Sequence, residues 1–185
     1  MGRMLVAPGP ADPPDAGEPA AAPFGGAAFR AALARFATGI TLVTAADASG
    51  PLGLVVNAFT SVSLEPPLIA ICPSRRSFTW SRMRRCRRFG VNVLGAGHAE
   101  YVRRVAHPGA DRFVGIDHRL TESGVPRIDT AIAFLECEPI SEQPAGDHWI
   151  VVARVHELIA DHGQAPLIFS DGKLGSVAEV EDHPR

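Results

Sequence analysis

Short runs of β-branched and other apolar residues, separated by turn residues, recur along most of this sequence of 185 residues. The runs 40–44 and 52–56 flank the turn-rich segment 47–51, which predicts a β-hairpin. Further strands are predicted at 68–72, 89–94, 131–140, 148–159 and 166–169, with a turn at 143–147. Helical patterns are confined to 27–36, 77–88 and 98–106. Many short strands with few short helices favour a mainly β, barrel-like fold over a doubly wound sheet.

The ends of the chain and one internal segment lack these patterns. Residues 1–24 are dominated by Ala, Pro and Gly, so we expect a disordered N-terminal tail. Residues 25–178 are predicted to form a single domain, because a chain of this length is too short for two ordinary ones. The acidic residues 179–185 are expected to fray as a C-terminal tail. Residues 107–130 show poor periodicity and are predicted to form a long loop.

Composition and charge argue against several classes of protein. The formal net charge of −2 gives no overall attraction to nucleic acid or to an anionic membrane. No apolar run approaches the roughly 20 residues of a membrane helix, and the first residues lack the features of a secretory signal. We therefore expect no membrane partner, no nucleic-acid partner and a cytoplasmic location. Three widely spaced cysteines suggest neither a disulfide framework nor a zinc site.

Residues 53–72 form the strongest candidate for a binding segment. Small hydroxyl and amide residues lie there between two β-branched runs. Such a backbone can pass close to a flat ligand and offer it N–H and C=O groups. The pair Pro66 and Pro67 is expected to stop the strand pairing.

Residues 73–80 follow directly and combine hydroxyl groups with Arg75 and Arg76 before a helical pattern. This composition is typical of a phosphate-binding helix start, where unpaired N–H groups and the positive end of the helix dipole favour an anion. Ser77 is equally suited to be a simple N-cap, and from the residues alone both interpretations stay open.

Other features have simpler interpretations. A Gly-Ala-Gly segment at 95–97 follows a strand, but Glu100 stands at the third glycine position of a dinucleotide fingerprint, so an ordinary strand-to-helix turn is predicted. Seven arginines between 75 and 88 are interpreted mostly as a solvated helix. His148 follows Asp147 at a strand start, where a structural role is more common than a ligand role. The remaining histidines have no companions at metal-ligand spacing, so no metal site is predicted.

Four segments, in their order and spacing, strongly resemble the short-chain flavin reductase family. They are residues 57–67, 77–79, 89–94 and 146–148. The resemblance runs from about residue 29 to about residue 174 and implies a split β-barrel that binds FMN or FAD. It also implies a homodimer with flavin near the subunit interface. Such proteins oxidise NADH or NADPH and pass reduced flavin to a separate oxygenase, as the reductase half of a two-component monooxygenase.

The resemblance also implies a role for each matching position. The flavin ring and ribityl chain would lie along Val56, Asn57, Ala58, Phe59, Thr60, Ser61, Val62 and Ser63, with Cys72 and Ser74 alongside. The phosphate would be held by Ser77, Phe78 and Thr79, and His148 would lie on the nicotinamide side. The sequence departs from the family pattern at Ala153, where a glycine is expected, and at Trp149, which is bulkier than the usual residue. Both departures concern the nicotinamide side.

The resulting hypothesis is an NAD(P)H:flavin oxidoreductase that supplies reduced flavin to a partner monooxygenase. A flavin-binding carrier or sensor without reductase activity is the alternative, and Ala153 and Trp149 give it some weight. An RNA- or DNA-binding barrel is a third hypothesis, supported only by the local arginine cluster. The sequence leaves open the choice between FMN and FAD and between NADH and NADPH.

Overall fold

The computed structural model describes residues 23–107, 113–160 and 163–177. The strands in these ranges are β1 (Thr38–Gly39), β2 (Thr41–Asp47), β3 (Gly50–Val56), β4 (Phe59–Leu64), β5 (Pro67–Ile71), β6 (Phe89–Val93), β7 (His118–Leu120), β8 (Pro126–Ile128), β9 (Ala133–Ala145), β10 (His148–Ala160), β11 (Leu167–Ser170) and β12 (Lys173–Ser176). The helices are α1 (Gly26–Leu33), α2 (Phe78–Met83) and α3 (Ala99–Ala106), the last preceded by a 3₁₀ turn at Ala96–His98. Most of the predicted N-terminal tail and all of the predicted C-terminal tail lie outside the described residues.

The main element is a seven-stranded sheet with the strand order β3-β2-β6-β9-β10-β5-β4. In a smaller sheet β11 lies between β1 and β12, and a third sheet consists of β7 and β8. Every one of these pairings is antiparallel. The prediction of a mainly β fold with a few short helices is therefore confirmed. Strand β4 lies at one end of the large sheet, next to β5.

Two clusters of buried side chains hold the fold together. One cluster includes Trp80 and Met83 of α2, packed against Phe89 and other sheet residues. Trp80 is 2% exposed and Met83 is 1% exposed. A helix of six residues is not stable alone in water, and each fully buried large apolar side chain contributes about 1.5–3 kcal/mol. Packing of these two side chains therefore fixes α2 on the sheet. The second cluster joins Val105 of α3 to Leu42 and Leu167.

The hairpin predicted around residues 47–51 is confirmed. Strands β2 and β3 pair from Thr41 opposite Val56 to Asp47 opposite Gly50. Asp47 Oδ1 accepts a hydrogen bond from the Ser49 backbone N–H at 2.8 Å. Gly50 has a φ of 111°, a backbone conformation that is strained for any residue with a side chain. The turn is therefore set by local residue types, which is why the sequence predicts it.

The prediction that Pro66 and Pro67 stop the strand pairing is wrong. The chain turns at Glu65 and Pro66, and β5 begins at Pro67, which pairs with Leu64 of β4. On its other side β5 pairs with β10 only from Leu68 onward. Pro67 therefore occupies the first position of the strand, beyond the β10 ladder, where a missing N–H costs little.

The predicted turn at 143–147 is too long. Strand β9 continues to Ala145, and only Gly146, with a φ of 59°, and Asp147 separate it from β10. Pro144 lies in the strand opposite Trp149. The other edge of β9 pairs with β6 only through residues 133–137, so the absent N–H of Pro144 breaks no second ladder among the described residues.

The predicted loop at 107–130 contains two short strands, β7 and β8, which pair from His118 opposite Ile128 to Leu120 opposite Pro126. Residues 108–112 lie outside the described residues. Two side chains of the large sheet anchor β8. The Thr44 hydroxyl donates to Pro126 O at 2.5 Å, and the Ile128 N–H donates to Asn92 Oδ1 at 2.8 Å. These contacts are tertiary, so strand periodicity does not reveal them.

Helix boundaries also differ from the predictions. Helix α1 ends at Leu33 rather than at residue 36, and none of its residues is buried. Helix α2 ends at Met83 rather than at residue 88, because the N–H groups of Arg85 and Cys86 donate to carbonyls three residues back and tighten the end into a turn. Strand β12, which follows the predicted final strand, was not expected from the sequence.

Candidate functional site

Strand β4 and the residues before it form an exposed sheet edge. Asn57, Ala58, Thr60 and Ser61 are exposed, whereas Phe59 is half-buried. Strand β4 pairs with β5 on one side and has no strand on its other side among the described residues. Its outward backbone N–H and C=O groups are therefore available to a ligand.

A pocket of about 560 Å³ adjoins this edge. Its walls come from α1, from the segment after α1, from Asn57–Phe59 and from the end of β11, and they consist of Arg30, Leu33, Ala34, Phe36, Thr38, Asn57, Ala58, Phe59, Phe169 and Gly172. The volume falls within the range of small-molecule sites, roughly 300–1,000 Å³. Mainly apolar walls with a few polar groups suit a flat ring with a polar edge.

Strand pairing brings several of the predicted flavin residues together. The Cys72 N–H donates to Ala58 O at 3.1 Å, which joins the end of β5 to the start of β4. Val56 differs from the others, because its side chain is 6% exposed and belongs to the core, while its carbonyl accepts a hydrogen bond from the Thr41 hydroxyl at 2.7 Å.

Val62 and Ser63 lie toward the far end of the β4–β5 hairpin. Ser63 pairs with Leu68, whereas Phe59 pairs with Ile71 next to Cys72. Four residues of strand span roughly 13 Å. The structure therefore does not bring Val62 and Ser63 close to Cys72 and Ser74.

The segment predicted to bind phosphate begins α2. The Ser77 Oγ accepts a hydrogen bond from the Trp80 backbone N–H at 3.1 Å, so Ser77 caps the helix. Its hydroxyl proton remains a donor in this geometry. The Arg76 N–H donates to Ser74 Oγ at 3.2 Å, and the Phe78 side chain is 76% exposed. The N-cap interpretation is therefore observed, and it does not exclude phosphate binding by the same hydroxyl.

His148 opens β10 directly beside this segment. Ser74 and His148 form an antiparallel bridge, and the Trp149 N–H donates to Pro73 O at 2.9 Å. The imidazole Nδ1 lies 2.7 Å from Asp147 Oδ1. The hydrogen bond to His148 lowers the pKa of the Asp147 carboxyl. An ionised carboxylate therefore faces the exposed imidazole and fixes its orientation.

Ala153, where the family pattern has a glycine, is fully buried in the core. It pairs with Ile69 of β5 and Pro139 of β9. His148 is exposed and lies five residues before Ala153, at the first position of β10. The extra methyl group is therefore accommodated inside the sheet and does not reach the surface near His148.

Trp149, the other position that departs from the family pattern, lies beside charged side chains that the sequence did not predict to be its neighbours. The guanidinium carbons of Arg75 and Arg84 lie 5.3 and 4.7 Å from the centre of its ring. Arg84 also forms an ion pair with Glu142 at 2.8 Å, and the Trp80 Nε1–H donates to the same carboxylate at 2.9 Å. These side chains link α2 to the β9–β10 hairpin.

Three of the seven clustered arginines pair with carboxylates distant in the sequence. Besides Arg84, Arg82 pairs with Asp47 at 2.7 Å and Arg88 with Glu136 at 2.5 Å. The Arg82 hydrogen bond lowers the pKa of Asp47. The simple picture of a fully solvated arginine helix is therefore incomplete, because these three side chains connect α2 and the segment after it to the sheet.

Two of the three cysteines, Cys86 and Cys137, carry thiols of low reactivity. All three are free, and burial raises the pKa of Cys137 to about 12 and also raises that of Cys86. Thiols with raised pKa values are poor nucleophiles at neutral pH. Residues 23–107, 113–160 and 163–177 contain no group of three His, Cys, Asp or Glu placed to hold a metal ion. Nor does any helix in these ranges have the length and hydropathy needed to cross a membrane.

Apart from Val56, Val62 and Ser63, the predicted ring-side residues form one strip that runs from Asn57–Ser61 through Cys72 and Ser74 to His148. Sequence reasoning missed Phe36, Thr38 and Phe169, which line the pocket with Asn57 and Phe59. The apolar stripe predicted for residues 27–36 was the available signal, since Leu33 and Phe36 form one wall of the pocket. The pocket, the free strand edge and the hydroxyl groups at the start of α2 together fit a flavin, which needs an apolar surface, polar partners along one ring edge and an anchor for its chain.

The fold and this strip define a mainly β protein with a candidate small-molecule site beside the free edge of β4. Residues 33–178 match the family model described as flavin reductase like domain. A flavin reductase of Pseudomonas putida is 40% identical over 153 residues, which cover 82% of this chain and 90% of that protein. The reductase subunit HsaB of a flavin-dependent monooxygenase from Rhodococcus jostii is 34% identical over 149 residues, covering 80% and 76%.

Solved structures agree with the sequence relatives. A nitrilotriacetate monooxygenase component B homologue from Mycobacterium thermoresistibile superimposes with a TM-score of 0.81 at 30% identity, covering 86% of this chain and 92% of that one. The NADH:FAD oxidoreductase SgcE6 of Streptomyces globisporus, in complex with NAD and FAD fragments, gives a TM-score of 0.79 at 35% identity, covering 83% and 93%. The chain belongs to the flavin reductase family.

Proposed function

We propose that the protein is an NAD(P)H:flavin oxidoreductase that reduces FMN or FAD and supplies the reduced flavin to a separate monooxygenase. The observation that carries the proposal is the bridge between Ser74 and His148, because it joins the predicted phosphate segment to the predicted nicotinamide residue in a member of this family. Relatives named as reductase components, including that of a 4-nitrophenol 4-monooxygenase of Rhodococcus opacus, support the partner oxygenase.

Each part of the strip has a proposed role. The backbone along Asn57–Ser61 lines the flavin ring, with Cys72 and Ser74 alongside, and the pocket wall at Phe36 and Phe169 completes the apolar surface. Ser77 and Thr79 hold the phosphate through hydroxyl and N–H donors, next to Phe78. Val56, Val62 and Ser63 are assigned no direct contact with the flavin. Val56 is a core residue, and Val62 and Ser63 lie toward the far end of the β4–β5 hairpin.

The bound flavin supplies the redox chemistry, because it accepts a hydride from the nicotinamide. The protein orients the two rings and excludes water between them. Backbone N–H groups along Asn57–Ser61 would face one edge of the bound ring and would favour negative charge there. Neutral hydroxyl anchors at Ser77 and Thr79 hold the phosphate loosely, as suits a protein that releases its flavin to a partner.

NADH is the proposed hydride donor to test first. A relative from Agrobacterium fabrum is named FMN reductase (NADH), and SgcE6 is named an NADH:FAD oxidoreductase. A homodimer in the cytoplasm is also part of the proposal. The exposed apolar side chains of Phe29, Leu33 and Phe36 on and after α1 support a subunit contact beside the flavin pocket.

The test is a steady-state assay of the purified protein with each pairing of FMN or FAD with NADH or NADPH. We expect at least one pairing to oxidise the nicotinamide well above the background of free flavin. Absence of activity in all four pairings would overturn the proposal. Tight, co-purifying flavin without nicotinamide oxidation would instead support the carrier or sensor alternative.

A further inference from the structure

Arg75 contacts the turn that carries His148 through both its backbone and its side chain. The Arg75 N–H donates to Asp147 O at 2.9 Å, and its Nη1 donates to Gly146 O at 3.1 Å. These carbonyls belong to the two residues between β9 and β10. One arginine therefore makes both hydrogen bonds that tie this turn to the segment before α2, next to the Ser74–His148 bridge.

The Trp149 ring provides a platform for the same guanidinium group. The guanidinium carbon of Arg75 lies 5.3 Å from the ring centre, within the range of a cation–π contact. The guanidinium carbon of Arg84, the residue directly after α2, lies 4.7 Å from the ring centre, and Arg84 forms an ion pair with Glu142. Because an arginine can stack and donate hydrogen bonds in one geometry, it suits this position better than a lysine.

The Arg75 side chain therefore contacts a different part of the protein from the one that its position in the sequence suggests. It stands two residues before Ser77, where an arginine would be expected to assist phosphate binding. In the structure its guanidinium group contacts Gly146 and Trp149 on the β9–β10 side. The side chain acts on the nicotinamide side of the strip.

We propose that Arg75, seated on Trp149, is a positioning residue that holds the Gly146–Asp147 turn so that His148 meets the nicotinamide. This inference rests on the proposed function, since it assigns Arg75 to the same hydride-donor side as His148. Asp147 orients the imidazole from within the turn, and Arg75 fixes the turn itself.

The experiment compares wild type with Arg75→Ala, Arg75→Lys and Arg85→Ala, using FMN and NADH or whichever pairing is active. Arg85 is an exposed arginine after α2 and serves as the charge-matched control. We expect Arg75→Ala to raise KM for the nicotinamide about 5-fold with kcat within about 2-fold, because the variant loses the exposed Nη1 hydrogen bond to Gly146 O and the contact with Trp149 but keeps the backbone N–H bond to Asp147 O. Flavin affinity should stay unchanged in every variant. Arg75→Lys retains a donor and should recover part of the loss.

A double variant shows whether Arg75 acts through His148. In a His148→Ala background, Arg75→Ala should cause no further rise in KM, because the residue it positions is gone. Additive effects, or weaker flavin binding by Arg75→Ala, would overturn the inference and favour a phosphate role. If wild type oxidises no nicotinamide, the proposed function itself fails; if wild type is active and Arg75→Ala matches Arg85→Ala, only the positioning role fails.

Discussion

Ser74 and His148 are paired in the same register as the β5–β10 ladder. Val151 pairs with Ile71, and continuing the ladder by three residues in each strand places His148 opposite Ser74. The hydrogen bond from the Trp149 N–H to Pro73 O continues the same register between the β5–β10 ladder and the Ser74–His148 bridge. The proposed phosphate segment and the proposed nicotinamide residue therefore lie on one extended ladder, whose geometry is fixed by strand pairing rather than by two independent loops.

The first prediction concerns His148. Replacing His148 with Ala should raise KM for the nicotinamide about 10-fold, because a ligand-facing donor or acceptor is lost, whereas the Kd for flavin should change by less than about 2-fold. Steady-state kinetics and flavin fluorescence titration measure the two effects. His156→Ala is the matched control, since His156 lies eight residues along β10 and pairs with Glu138 at 2.9 Å. Equal loss of flavin and nicotinamide affinity would reject the assigned role.

The second prediction separates the two roles of Ser77. Asp is as good an N-cap as Ser, so Ser77→Asp should leave the melting temperature unchanged while its charge repels a phosphate. We expect the Kd for FMN to rise about 10-fold or more and the Kd for riboflavin, which has no phosphate, to stay the same. Ser81→Asp adds the same charge one turn later, at an exposed position of α2. Equal effects on FMN and riboflavin would show that Ser77 does not meet the phosphate.

The third prediction concerns the ion pair between Arg88 and Glu136. Glu136 is 2% exposed, and burial alone would raise its pKa, but hydrogen bonds from Arg88, Ser123 and Thr121 outweigh burial and lower it. Because the Glu136 pKa is lower in the folded state than its unfolded value of 4.5, the ionised carboxylate stabilises the fold at pH values above 4.5. This stabilisation is lost as the pH falls through the folded-state pKa.

Glu136→Gln should therefore lower the free energy of unfolding at pH 7 by about 2 kcal/mol, because Arg88 keeps a charge without its partner. Urea denaturation at pH 7 measures the loss. Glu100→Gln removes one partner of an exposed pair with Arg103, both 64% exposed, and should cost less than about 0.5 kcal/mol. Similar losses in the two variants would mean that the buried pair contributes no more than a surface pair.

The sequence predicts those parts of the fold that local residue types determine. The β2–β3 hairpin follows from Asp47, Ser49 and Gly50, and the strands β5, β6 and β10 follow from runs rich in β-branched and other apolar residues. The three-residue strands β7 and β8 are different, because β8 is held by hydrogen bonds between Thr44 and Pro126 and between Ile128 and Asn92, partners more than 30 residues apart in sequence. No local pattern carries that information.

The candidate site divides in the same way. The resemblance to the family, not position alone, selects Asn57–Ser61, Ser77 and His148 as predicted site residues, and the β4–β5 and β5–β10 pairings bring the segments that carry them next to one another. The partners of the arginines were not predictable, since Arg82 pairs with Asp47, 35 residues away, and Arg88 pairs with Glu136, 48 residues away. The direction of the Arg75 side chain likewise depends on where the β9–β10 turn lies, which only the folded sheet determines.

The last prediction concerns His98, which is 4% exposed. Its Nδ1 accepts a hydrogen bond from the Gly95 N–H at 3.0 Å, so in the neutral ring Nε2 carries the proton and donates to the Thr130 hydroxyl at 2.7 Å. Burial lowers the pKa of His98 below its ordinary value of 6.5. The folded state therefore binds this proton less readily than the unfolded state, and its stability falls as pH drops from 6.5 toward the folded pKa.

His98→Asn keeps an acceptor near the position of Nδ1 but removes the titrating ring. We expect it to be less stable than wild type at pH 8 by about 1 kcal/mol, through loss of the Thr130 hydrogen bond, and to lose less further stability between pH 6.5 and pH 5. Denaturation at several pH values measures the difference in slope. His107→Asn, at an exposed position after α3, should keep the wild-type slope. If His98→Asn also keeps that slope, protonation of His98 does not limit the acid stability of the fold.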